Sequence, residues 1–107
     1  MERRTRRSTR IHEALSNFLD ALCLKRSLDA VALTTHDGLL IAGKGGVDLE
    51  ELGVLGASAR KASAPFRDQQ LHVSRFEVND TTLCLTTLGA PVRDDSAVGS
   101  LMRILAA

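Results

Sequence analysis

Three histidines (His12, His36, His72) and two cysteines (Cys23, Cys84) are the residues of this 107-residue chain best suited to general-base or nucleophilic chemistry. His36 stands beside Asp37, and a carboxylate next to an imidazole can orient it as a base. Gly38 follows, however, and Thr35-His36-Asp37-Gly38 has the composition of a hairpin turn: Asp tolerates positive φ and Gly adopts it freely. Side chains on such a turn point to solvent and do not converge on a pocket. Cys23 falls in a helical pattern and Cys84 in a strand pattern, both amid apolar neighbours, as buried structural thiols do. They are too few for a disulfide framework. Gly43-Lys44-Gly45-Gly46 lies between a strand and a helix start, where backbone N–H groups favour phosphate. Its spacing is not that of a phosphate loop, and no Ser or Thr follows Lys44 to hold magnesium. It is expected to be a connector. No His, Cys or carboxylate cluster has metal-ligand spacing. The expectation is therefore no enzyme: no catalytic residue, no cofactor and no metal.

Charge offers a second kind of chemistry. Arg3, Arg4, Arg6, Arg7 and Arg10 stand against Glu2 in the first ten residues, leaving +4 there. The whole chain carries +1, so residues 11–107 sum to −3. The pattern is a basic disordered arm, 1–10, ahead of one slightly acidic domain, 11–107. Such an arm can contact nucleic acid or an acidic membrane surface, or can simply be a solvated terminus. With no Trp, no Tyr and three Phe, the chain has almost no platform for stacking unpaired bases. No apolar run reaches membrane-spanning length, and no apolar signal core follows the arginines. A cytoplasmic location is expected.

The elements that must position these residues follow from periodicity. Ile11, Ala14, Leu15, Phe18, Leu19 and Leu22 recur at helical spacing, with Ser8 or Thr9 as the expected N-cap. Ala30–Thr35 and Leu39–Ala42 are expected strands flanking a two-residue Asp37-Gly38 turn. Asp48 and Glu51 form a capping-box pattern for a helix over 49–62, which stops before Pro65. Its stripe of small residues, Gly53, Gly56, Ala57, Ala59 and Ala62, implies close approach of another backbone, either the sheet beneath or a second helix. Leu71–Val78 alternates imperfectly, as at a sheet edge, and Asn79-Asp80 turns it into Thr81–Leu88. Asp94, Asp95 and Ser96 open a last helix carrying Val98, Leu101, Met102 and Leu105. The order is α-β-β-α-β-β-α. The fold class is an α+β sandwich, an antiparallel sheet with the first and last helices on one face and the middle helix on the other.

Leu28 to Ala42, followed by the Asp48-capped helix to Ala62, resembles the Roadblock family, which includes dynein light chains and bacterial regulators of small GTPases. The resemblance is good over 11–64 and weaker beyond. It departs from the family in one respect. Three strands are usual between the second and last helices, and the pattern here leaves room for two, unless Gly89–Val92 supplies a vestigial one. The resemblance implies a roadblock-like platform without catalysis, forming a homodimer about a twofold axis with second helices side by side and edge strands joined. The dimer interface would then take in Gly53, Gly56, Ala57 and Arg60 on the helix and His72, Ser74 and Phe76 on the strand. A small Ras-like GTPase would sit on the outer helix faces, near Glu51, Val54, Ser58 and Lys61. Any effect on GTP hydrolysis would come from repositioning the partner's own groups.

Overall fold

The apolar residues of this chain sort into two clusters on opposite faces of one sheet, and that division sets the architecture. The computed structural model describes residues 2–89 and 95–106, those at 2–10 and 95–97 by their backbone. The chain runs α1 (Glu2–Arg26), β1 (Ala30–Thr35), β2 (Leu40–Gly45), α2 (Leu49–Ser58), β3 (Ser63–Phe66), β4 (Gln69–Val78), β5 (Thr81–Leu88) and α3 (Asp95–Ala106). The five strands form one antiparallel sheet in the order β2-β1-β5-β4-β3. Strand side chains alternate between faces. Val31, Leu33, Phe76, Leu83 and Leu85 meet Leu15, Leu19 and Leu22 of α1 and Leu101 of α3 on one side. Ala30, Ala32, Leu71, Val73, Cys84 and Leu88 meet Leu52 of α2 on the other, with Phe66. The expected placement of the helices, two on one face and one on the other, is what forms.

Three elements differ from the sequence pattern. The sheet has a fifth strand, β3, where a loop before β4 was expected. Ser63-Ala64-Pro65-Phe66 is short and contains Pro, which hides it from a periodicity argument. Pro65 is tolerated because β3 is an edge strand, paired with β4 on one side. Gly89, at the start of the alternative Gly89–Val92 segment, is a bend, and the rest of that segment lies outside the described residues, as does Asp94. The helix α1 begins at Glu2, so the basic segment has a helical backbone in place of a disordered arm. Ser8 and Thr9 are interior helix positions, not caps. And β2 extends through Gly43, Lys44 and Gly45, which pair with Ala32, Val31 and Ala30. The glycine-rich run is therefore mostly strand.

The helix α2 lies on the sheet through two glycines. A Cβ built on Gly56 would stand 2.6 Å from Thr86 Cγ2 and closer still to its Oγ1, and one on Gly53 would collide with Thr34 Cγ2. Both glycines, Thr34 and Thr86 are buried. The close approach promised by the small-residue stripe is thus to the sheet, not to a second helix. The hydroxyls of Thr34 and Thr86 have no hydrogen-bond partner there, so the contact is one of shape.

A Gly-to-Ala change in an open helix gains about 1 kcal/mol of helix propensity, whereas forcing a methyl into a packed contact costs about 1–3 kcal/mol. Among the described residues, nothing lies within 4 Å of a Cβ at Gly99 of α3. Gly99→Ala is therefore expected to stabilise the fold and Gly56→Ala to destabilise it, by up to about 2 kcal/mol net, in urea unfolding. Adding Thr86→Ala should recover part of the Gly56→Ala loss, and additive losses would contradict the contact.

Candidate functional site

The outer side of α2 is the surface on which the sequence-predicted partner residues come together. The helix starts at Asp48, whose carboxylate accepts from the Glu51 N–H at 3.1 Å, satisfying one of the free donors of the first turn. The capping box is half made. The Glu51 carboxylate turns instead to Arg67 Nη2 at 3.3 Å, at the β3–β4 turn, and the Arg67 guanidinium lies 5.5 Å from the Phe66 ring centre. Leu49, Leu52, Gly53 and Gly56 face the sheet. That leaves Glu51, Val54 and Ser58 outward, all exposed, with Lys61 exposed just past the helix. Val54 is 48% exposed and Leu55 41%.

The far end of α2 is set by a residue distant in sequence. The expected helix to Ala62 stops at Ser58, and Ala59 is extended. Arg75, on β4, donates from Nη2 to the carbonyls of Gly56 (3.3 Å), Ala57 (3.4 Å) and Ala59. The last turn of α2 contains no basic residue of its own, so Arg75 supplies the positive charge that suits a helix C-terminus. Its position on the α2 face of β4, in line with Leu71 and Val73, is what the strand alternation predicts.

The expected dimer residues are not brought together. Gly53 and Gly56 are covered by their own sheet. Phe76 is buried in the α1–α3 core, because alternation along β4 turns it away from α2. His72 and Ser74 share that side of β4 and are half-buried. His72 is not at an edge, since it pairs with Ser63 of β3 as well as Thr87 of β5. Ala57 is half-buried and Arg60 exposed. The sheet has two edges, β2 and β3, and α2 touches both; β3 is the one that periodicity did not reveal. Leu55 is a further outward residue that the sequence pattern did not single out. Its signal was helical phase: it lies about 100° from Val54 and opposite the line of Gly53.

The β1–β2 turn flanks this face. A Cβ on Gly38 would lie 3.3 Å from Val54, and Leu39 beside it is 69% exposed. The turn has three residues, not two. The Thr35 N–H donates to Leu39 O at 3.0 Å, the Gly38 N–H to Thr35 O at 3.1 Å, and Gly38 takes φ +92°, the geometry of a type I turn closed by a glycine bulge. The Thr35 hydroxyl donates to the Asp37 carboxylate and accepts from the Leu39 N–H at 3.1 Å. The bond from Thr35, with help from Asp37's own N–H, holds the Asp37 carboxyl below the ordinary carboxylate range. His36 and Asp37 are exposed. Beside them is an open hollow of about 360 Å³ lined by His36, Asp80, Thr81 and Thr82. It joins the β1–β2 and β4–β5 turns.

On the other face, Lys44 donates to Asp20 of α1, which raises the Lys44 ammonium above its ordinary value. Cys23 is half-buried and its thiol is pushed up mainly by burial. These groups fasten α1 to β2. Among the described residues, no three His, Cys, Asp or Glu side chains are placed to hold a metal ion, and no helix is long and apolar enough to cross a membrane. No family model matches the sequence, and no curated protein is significantly similar to it.

The Asp37 carboxyl, lowered in the fold, contributes stability above its unfolded pKa and loses it as pH falls through the folded value. NMR titration of wild type should place the Asp37 midpoint below that of an unfolded peptide, and Thr35→Val should raise it. Equal midpoints in the two proteins would remove Thr35 as the cause.

Proposed function

We propose that this chain is a non-catalytic, homodimeric adaptor or regulator that binds a small Ras-like GTPase through the outer face of α2. One observation carries the reading. The helix lies alone on its side of the sheet, fixed at both ends by Asp48 and Arg75, and its uncovered side presents Val54 and Leu55 half-exposed between Glu51, Ser58 and Lys61. Apolar residues grouped on a rigid, polar-rimmed helix face are typical of a protein contact. The five-stranded antiparallel sheet with helices on both faces, and the strand β3 that the sequence pattern lacked, fit a roadblock-like arrangement better than four strands would. That supports the family resemblance of the opening hairpin.

The proposed dimer differs in detail from the one that the sequence alone implies. Gly53, Gly56 and Phe76 serve the protomer's own packing. Self-association would use the free edge of β3, with Leu55, Ala57 and Arg60 beside it, while Glu51, Val54, Ser58 and Lys61 remain for the GTPase. Joining two edge strands extends the sheet through backbone hydrogen bonds. A stable pair needs about 1,200–2,000 Å² of buried surface in total, which an edge strand and a helix flank together can provide. Any influence on hydrolysis would act by shifting the partner's own catalytic groups.

Sedimentation equilibrium should give twice the chain mass for wild type and a lower mass for Leu55→Asp. A monomeric wild type rejects the dimer. Small Ras-like GTPases loaded with GDP or a GTP analogue should bind wild type, and Val54→Asp should weaken that binding at least tenfold while leaving the mass unchanged. Equal binding by Val54→Asp would move the contact off this face.

A further inference from the structure

We infer that the N-terminal part of α1 is a basic projecting helix that binds the phosphate backbone of duplex nucleic acid without regard to sequence. This surface is separate from α2 and does not depend on the function proposed above. The helix starts at Glu2, and Ile11 is its first apolar residue, packed against the core. The positions one and two turns before Ile11 on that same line are 8 and 4, which are Ser and Arg. No residue from 2 to 10 is apolar, so this stretch of helix, about 13 Å at 1.5 Å per residue, brings no apolar side chain to the core. The molecule is 44 Å long against 27 and 26 Å across, and a 25-residue helix is about 37 Å long.

Positions 3, 6, 7 and 10 are spaced to lie along one side of a helix, and all are Arg, with Arg4 beside them. Five arginines near the start of a helix oppose its dipole, so the charge does not serve the folding of α1.

The residue types select among polyanions. Arginine offers a two-donor fork that fits a phosphate, and all five cations are Arg. Thr5, Ser8 and Thr9 add hydroxyl donors of the kind that bind phosphate oxygens. A bilayer would gain nothing from burial, because an interfacial helix needs an apolar face and this segment has none. Unpaired bases need aromatic platforms, and the chain has no Trp and no Tyr. A duplex backbone remains. Beyond the tenth residue the chain carries −3, which keeps a polyanion at the tip and away from α2.

The test is fluorescence anisotropy with a labelled 20-base-pair DNA duplex and the full chain, over a range of salt. Five phosphate contacts give a slope of log K against log salt of about −4.5, or about a 500-fold loss between 50 and 200 mM. The expected slope for wild type lies between about −3 and −4.5, with little change when the duplex sequence is altered. A variant combining Arg3→Gln, Arg6→Gln, Arg7→Gln and Arg10→Gln replaces no apolar residue and should fold normally by circular dichroism. It should bind at least tenfold more weakly at 50 mM salt, with a slope reduced towards −1. Three results would overturn the inference: no duplex binding at 50 mM salt, an unchanged slope in the variant, or binding to phosphatidylserine vesicles in the absence of duplex binding.

Discussion

The contact of Gly53 and Gly56 with Thr34 and Thr86 is the constraint around which this molecule is arranged. With no Cβ at either position, α2 settles onto β1 and β5 closely enough for Leu52 to reach Ala30, Ala32 and Cys84 in a shared core. The small residues on the sheet side, Ala30 and Ala32, belong to the same accommodation. A larger side chain at any of these positions would lift the helix. Lifting it would also draw the carbonyls of Gly56, Ala57 and Ala59 away from Arg75. One shape contact therefore fixes the depth of α2, the geometry of its C-terminal cap and the direction of its outer face.

That outer face acquires its character by subtraction. Leu49, Leu52 and the glycines are spent on the sheet, so what remains outward is Glu51, Val54, Leu55 and Ser58. The β1–β2 turn rises beside it through Gly38, and the β3–β4 turn meets it through Arg67 and Glu51. The exposed Arg67–Glu51 ion pair adds little stability. Its role in the arrangement is to border the helix with polar groups. On the opposite face, α1 and α3 close the larger core around Leu15, Leu19, Leu33, Leu85 and Leu101, which leaves α2 as the helix on its own side of the sheet among the described residues.

Much of this was legible in the sequence, and what was not has physical causes. Periodicity located the core stripe of α1, the strands β1, β4 and β5, and the helix α3, because each buries one face continuously. The positions Glu51, Val54 and Ser58 came from the family resemblance, and all three are exposed. The strand β3 was not legible, since Ser63-Ala64-Pro65-Phe66 owes its conformation to pairing with Gln69–His72 and not to its own preference. Nor was the end of α2, which is set by Arg75 sixteen or more residues away. The glycine stripe announced a close approach without saying to what, and only the position of Thr34 and Thr86 decides it for the sheet. Asp37-Gly38 announced a turn but not its third loop residue. The N-terminal extent of α1 was hidden because Ser8 and Thr9 are good capping residues, and good caps mislead where the helix continues past them.

The central claim is that α2, pinned to its sheet from below, uses its outward side and the adjoining β3 edge to associate. Amide hydrogen exchange of the full chain, measured over a hundredfold range of protein concentration, tests it most directly. The account predicts protection that rises with concentration in 50–66, covering the outer turns of α2 and the β3 edge, while the amides of Thr34 and Thr86 stay equally protected throughout. Exchange in 50–66 that is independent of concentration, or concentration-dependent protection confined to α1, would contradict it.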